Sequence, residues 1–179
     1  MKFKTWGGRR EGAGRPPANG KSGVPHLPRP ALASRFPVHV TWRMKGHVWN
    51  LRSRRSERAL APAFYAGAER DGFRLVHFAV MGNHIHLMVE ASDRMRLARG
   101  MQGLGVRIAR RLNRMMRGHG RVIADRYHAH ILKTPTEVRH TRQYLLTNAA
   151  KHYGHVGADR FTSQRPLTAP ETWLMRHHC

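Results

Sequence analysis

The alternation of apolar and polar positions divides the chain into a short series of elements. Val38-His39-Val40-Thr41-Trp42-Arg43-Met44 alternates with period two and predicts a strand. From about Ser56 to Arg70 the apolar residues Leu60, Phe64 and Ala68 fall on one helical face, and Asp71-Gly72 supplies a turn after it. Phe73 to Met81 reads as a second strand. Gly82-Asn83 gives turn chemistry before a third, His84-Ile85-His86-Leu87-Met88-Val89, so the two should form an antiparallel hairpin. Between Asp93 and Arg117, Leu97, Met101, Leu104, Ile108, Leu112 and Met115 recur at steps of three and four, the period of an amphipathic helix. Arg121 to Leu132 returns to strand character. Thr134-Pro135-Thr136-Glu137 then combines a capping hydroxyl, a proline at the first helical position and a glutamate at the third, predicting a capped helix that runs to about His152 and is ended by Gly154.

The ends of the chain do not join this pattern. Residues 1–35 are rich in Gly, Pro and Arg without apolar period and read as a disordered basic arm. Within the arm Gly14-Arg15-Pro16 is similar to the core of an AT-hook, where an extended arginine enters a narrow minor groove; a solubilising tail with general phosphate affinity is the plainer reading. Residues 156–179 are polar and Pro-interrupted and read as a tail. The domain is thus expected over 36–155.

Charge narrows the function. Lys and Arg number 33 against 10 Asp and Glu, a net charge of +23. A polyanion is the natural partner of such a surface, with nucleic acid ahead of an anionic membrane. No leader-like apolar segment and no apolar stretch of membrane-spanning length is visible, so neither secretion nor membrane insertion is expected. Cys179 is the only cysteine, which removes intrachain disulfides and cysteine-built zinc clusters and fits a reducing compartment. The ten acids fall mostly at expected caps, turns and termini, so a site built from converging carboxylates is not expected.

The 14 histidines offer another route to a cation. His84 and His86, two apart on an expected strand, leave one face and can share a divalent ion; two polar strand residues would have the same spacing. His128 and His130 repeat it without the tight turn before or the apolar run after. Tyr144 on the last helix would ordinarily be a packing residue, but Asn148 one turn later adds a neutral oxygen donor. A hard ion such as Mg²⁺ or Mn²⁺ accepts such ligands, keeps open positions and binds phosphate oxygens. A phenol is a poor nucleophile at neutral pH, and Lys151 or a nearby arginine could help it ionise. Between Asp93 and Arg117 eight arginines, Arg107, Arg110, Arg111 and Arg114 among them, have almost no acidic partners, which favours phosphate contact over simple solvation.

Val80-Met81-Gly82-Asn83-His84-Ile85-His86-Leu87-Met88 resembles the signature of the single-tyrosine HUH transposases, especially the REP-associated tyrosine transposases and IS200-like relatives. Asn113–Gly120 leading into Asp125-Arg126-Tyr127-His128, the capped start at Thr134, and Tyr144 followed by Asn148 match in the same order. Gly82 departs from the proline common before Asn-His. The resemblance implies an α+β, ferredoxin-like (RRM-like) fold, an antiparallel sheet with helices packed on one face, in a bacterial cytoplasmic, nucleoid-associated protein working as a monomer or a homodimer. It implies that His84, His86 and Asn148 hold Mg²⁺ or Mn²⁺, and that Tyr144 attacks a phosphate of single-stranded or hairpin DNA to form a 5′-phosphotyrosine link. Arg107, Arg110, Arg111, Arg114, Arg126, Lys151 and Arg15 are the expected DNA contacts, with Trp42, Trp49 and Tyr127 available for stacking. The alternatives are a domesticated nucleic-acid-binding protein that does not cut, and a zinc hydrolase built on the histidine pair, which lacks carboxylate partners.

Overall fold

The structure, a computed structural model, describes residues 30–154 and 157–179. The elements are β1 (Val38–Arg43), α1 (Arg54–Ala66), β2 (Glu69–Arg70), β3 (Phe73–Val80), β4 (His84–Ala91), α2 (Arg94–Met116), β5 (His128–Ile131), α3 (Pro135–Tyr153) and α4 (Trp173–His178). The strands form one sheet of order β2-β3-β4-β1-β5, and every neighbouring pair is antiparallel. The expected α+β antiparallel sheet is present. Strand character between 121 and 132 is narrower than the pattern predicts, reduced to β5 and an isolated bridge from Ile123 to Met44. Residues 1–29, and Arg15 with them, lie outside the described residues.

Period-two alternation puts Val38, Val40 and Trp42 of β1 and Ile85, Leu87 and Val89 of β4 on one face, where they pack with Leu60 and Phe64 of α1 and Leu97, Met101, Leu104 and Ile108 of α2. Helix α2 comes close to β3 because Gly100 has no side chain: a Cβ there would sit 2.1 Å from the Phe73 ring. Trp42, expected as a stacking platform, is only 4% exposed, because it occupies the apolar phase of β1; it belongs to the core. The expected layer of helices on one face is thus α1 and α2, and the structure adds a layer on the other. There Val76, Ala79 and Met88 pack with Leu132, with Val138 and Leu145 of α3 and with Leu174 and Met175 of α4.

Residues 157–179 are not a loose polar tail. Arg52 holds Asp159 through two nitrogen–oxygen contacts of 2.9 and 2.8 Å, and its guanidinium lies between the rings of Tyr153 and Phe161. The chain then runs beside β3: Val80 N–H donates to Phe161 O (2.8 Å), Ser163 N–H to Phe78 O (3.0 Å) and Leu167 N–H to Val76 O (2.9 Å). These bonds cover the β3 edge that the two-residue β2 leaves open. Glu90, which the pattern would place at a strand end, is buried and accepts from the backbone N–H groups of Glu171 and Thr172 (both 2.8 Å) and from the Thr172 hydroxyl (2.7 Å). The sequence pattern hid this docking, because its apolar anchors Phe161, Leu167, Leu174 and Met175 are scattered without a period among the polar pairs that fix the segment.

Candidate active site

The β3–β4 hairpin presents the histidine pair. With Ile85, Leu87 and Val89 facing α1 and α2, alternation turns His84 and His86 toward the α3 layer. Their ring centroids are 4.8 Å apart and the rings are nearly perpendicular (86°). His84 Nδ1 lies 2.8 Å from Asn83 Oδ1. A carboxamide oxygen only accepts, so the imidazole proton is on Nδ1 and the Nε2 lone pair stays available. The antiparallel register sets Thr41 of β1 opposite His86. His86 Nδ1 is accordingly 3.2 Å from Thr41 Oγ1 and 3.2 Å from His39 Nε2.

The helix α3 brings the phenol. Its start is the expected capping box, with Glu137 N–H donating to Thr134 Oγ1 and Thr134 N–H donating to Glu137 Oε2. Gly154 ends it in the left-handed region at φ 63°. Tyr144 Oη lies 3.4 Å from His86 Nε2, with ring centroids 5.2 Å apart at 86°. Asn148, one turn on, is 1% exposed, and among the described residues neither Oδ1 nor Nδ2 has a hydrogen-bond partner. A second tie fixes the hairpin to this helix: Gly82 N–H donates to the Tyr153 hydroxyl (3.0 Å), a bond that a proline at position 82 could not make.

Electrostatics keeps the histidines neutral. Burial first, then His39 and His84 nearby, pushes the His86 imidazole down to about 3. His39 is lowered to about 4 by burial and by His130 and His128, and His84 is lowered by burial, His152 and Arg43. Neutral imidazoles are the form that ligates a metal. Among the described residues no group of three or more His, Cys, Asp or Glu side chains is placed to hold an ion. The donor set that fits is two imidazoles and one amide, and the unpartnered buried amide of Asn148 is the observation in its favour, since such a group is costly to bury without a purpose.

Of the other expected site residues, Lys151 shares α3 with Tyr144, whereas the α2 arginines lie apart from this cluster. Lys151 is exposed on α3. Arg110, Arg111 and Arg114 are exposed on α2, and Arg107 is half-buried with its guanidinium donating to Gly103 O. Since α2 packs its apolar side on the sheet, these arginines belong to the layer on the far side of the sheet from His86 and Tyr144. Arg99, Arg107 and Arg110 of α2 join Arg70 around a cavity of about 460 Å³ with no carboxylate in its lining. Arg126 and Arg121 flank an adjoining, more apolar cavity of about 490 Å³ between α2 and the segment before β5. Three contacts escaped the sequence reading: His39, Thr41 and the Tyr153 hydroxyl. The first two lie on the polar phase of β1, and only the pairing of β1 with β4 shows that this phase faces His86.

The family model "Transposase IS200 like" matches residues 33–148. A solved structure of a REP-associated tyrosine transposase bound to a REP hairpin superposes with a TM-score of 0.59 at 14% identity, over 73% of this chain and 75% of that one. A crystal structure from Deinococcus radiodurans R1, whose chain carries a provisional transposase designation, has a TM-score of 0.46 at 20% identity, over 69% of this chain and 94% of that one. No curated protein matches the sequence.

Proposed function

We propose, from the premise that this chain belongs to the IS200-like transposase family, that it cuts and rejoins single-stranded DNA folded into hairpins, with Tyr144 as the nucleophile. The observation that carries this reading is the meeting of α3 and β4 within one chain: the Tyr144 hydroxyl at 3.4 Å from His86 Nε2, with His84 adjoining. The structural relative bound to a REP hairpin supports hairpin DNA as the substrate.

His84 and His86, through Nε2, and Asn148, through its amide oxygen, would hold Mg²⁺ or Mn²⁺. Such an ion supplies charge withdrawal from the non-bridging oxygens of a phosphate. The remaining work belongs to the chain. Tyr144 gives up its phenolic proton as Oη attacks the phosphorus; the P–O3′ bond breaks, and the 3′ oxygen takes up a proton in exchange and leaves as a hydroxyl. The phosphate stays on Tyr144 as a 5′-phosphotyrosine. The diester's energy is thereby kept, and attack by a 3′-OH on the link restores a phosphodiester and the free phenol. The capping box and the Gly82–Tyr153 bond fix α3 at both ends, which holds the phenol in place for in-line attack.

The test is a denaturing gel of the purified protein with a labelled single-stranded hairpin from palindromes flanking its gene, in Mn²⁺. A shifted covalent band is expected with the native chain and none with Tyr144→Phe, whose DNA affinity should be unchanged. A band that persists in Tyr144→Phe removes the nucleophile assignment. No band from either protein, with tight hairpin binding, would indicate a binding protein that does not cut.

A further inference from the structure

His86 has a neighbour whose role neither the histidine pair nor the tyrosine accounts for. His39 of β1 stacks on it, with ring centroids 5.3 Å apart and planes 28° from parallel, and sets its Nε2 3.2 Å from His86 Nδ1. The same ring meets Tyr144 edge-on at 6.2 Å. We infer that His39 is a positioning residue: its hydrogen bond and its stacked ring hold the His86 imidazole with Nδ1 protonated and Nε2 turned toward Tyr144. This inference rests on the reading of His86 as a cation ligand.

The need for such a residue follows from histidine geometry. Rotation about the Cβ–Cγ bond is broad and nearly two-fold, so an imidazole on a strand can flip. A flip exchanges Nδ1 with Cδ2 and Nε2 with Cε1, and the ligating atom is lost. Thr41 Oγ1 also reaches His86 Nδ1 at 3.2 Å, but one small hydroxyl constrains a point, whereas His39 constrains a point and a plane. When Nε2 donates its lone pair to a cation, Nδ1 must carry the proton, and His86 Nδ1–H then donates a hydrogen bond to His39 Nε2. His84 has its own Nδ1 acceptor in Asn83, so each histidine is oriented by a different partner. Partners of this kind typically change metal affinity 10- to 100-fold when removed.

The experiment titrates the full chain with Mn²⁺ without DNA, reading free Mn²⁺ by electron paramagnetic resonance. His39→Phe keeps a flat stacked ring and removes only the hydrogen bond; its Mn²⁺ affinity should fall about 10- to 100-fold at unchanged Tm. His39→Gln, with an amide able to accept from His86, should recover most of the loss. If His84→Ala abolishes binding while His39→Phe binds like the native chain, the inference is overturned and the metal site stands. If the native chain binds no better than His84→Ala, both fall. Imidazole ¹⁵N spectra of the native chain give a check that needs no variant: His86 should be protonated on Nδ1, and the opposite tautomer overturns the inference.

Discussion

A buried amide with no partner is a local defect unless it serves a ligand. Asn148 has both polar side-chain atoms in that condition. Leaving a polar group buried and unsatisfied costs about 1–3 kcal/mol. Asn148→Leu, close in volume, should therefore raise stability by about 1 kcal/mol in thermal denaturation while removing Mn²⁺ binding. A destabilised variant would show that the amide serves the fold instead. The residue scale also explains why Gly82 tolerates a departure from the common proline: its N–H is used, on Tyr153. His84 and His86 were legible as a same-face pair because alternation alone fixes which side a strand residue takes. Asn83, Thr41 and His39, which orient them, were legible only as neighbours or as strand residues.

At the scale of elements, the docking of residues 157–179 on β3 and β4 depends on polar groups that titrate. His77 of β3 is 2% exposed and pairs with Ser163 Oγ at 3.2 Å. Burial, and next Arg142 nearby, pushes it down to about 4 against an opposing bond from Ser163. Its folded pKa is depressed, so the unfolded chain takes a proton near pH 6.5 and the folded one does not until about 4. Stability is complete above 6.5 and falls as pH drops through that interval, by on the order of 3 kcal/mol. Asp159 acts in the same direction: although burial opposes it, the Arg52 contact and the donors Phe161 N–H and Thr162 hydroxyl hold its carboxyl below the usual range. Limited proteolysis should therefore cut within residues 157–179 increasingly as pH falls from 6.5 to 4, and less steeply in His77→Gln. An unchanged cleavage profile in that variant would assign the acid response elsewhere.

For the whole molecule, where the net charge is +23, the cations of the described residues fall on two layers separated by the sheet. The arginines of α2 lie on one side and Tyr144 with the histidines on the other. The α2 arginines are thus expected to contribute affinity and to leave the chemistry alone. Replacing Arg107 and Arg110 with alanine should weaken hairpin binding and lower the slope of log affinity against log salt by about one unit per lost phosphate contact, with adduct formation at saturating DNA unchanged. An unaltered slope would place the DNA on other cations.

The sequence by itself determined the order of the main elements from β1 to α3, the shared face of His84 and His86, the capped start of the tyrosine helix and the family; it missed β2, whose residues Glu69–Arg70 it assigned to the end of the first helix. Each of these follows from a short period, a cap or an ordered local motif, which act over a few residues. Beyond the β3–β4 hairpin that the Gly82-Asn83 turn already implied, tertiary structure alone decided which strands are neighbours. It therefore decided that β1 delivers Thr41 and His39 to His86, that α3 crosses the sheet so that Tyr144 meets His86, that the arginines of α2 occupy the other layer, and that residues 157–179 close the edge of β3. The physical reason is range. These contacts join residues tens of positions apart through single hydrogen bonds and polar pairs, which leave no period in the sequence.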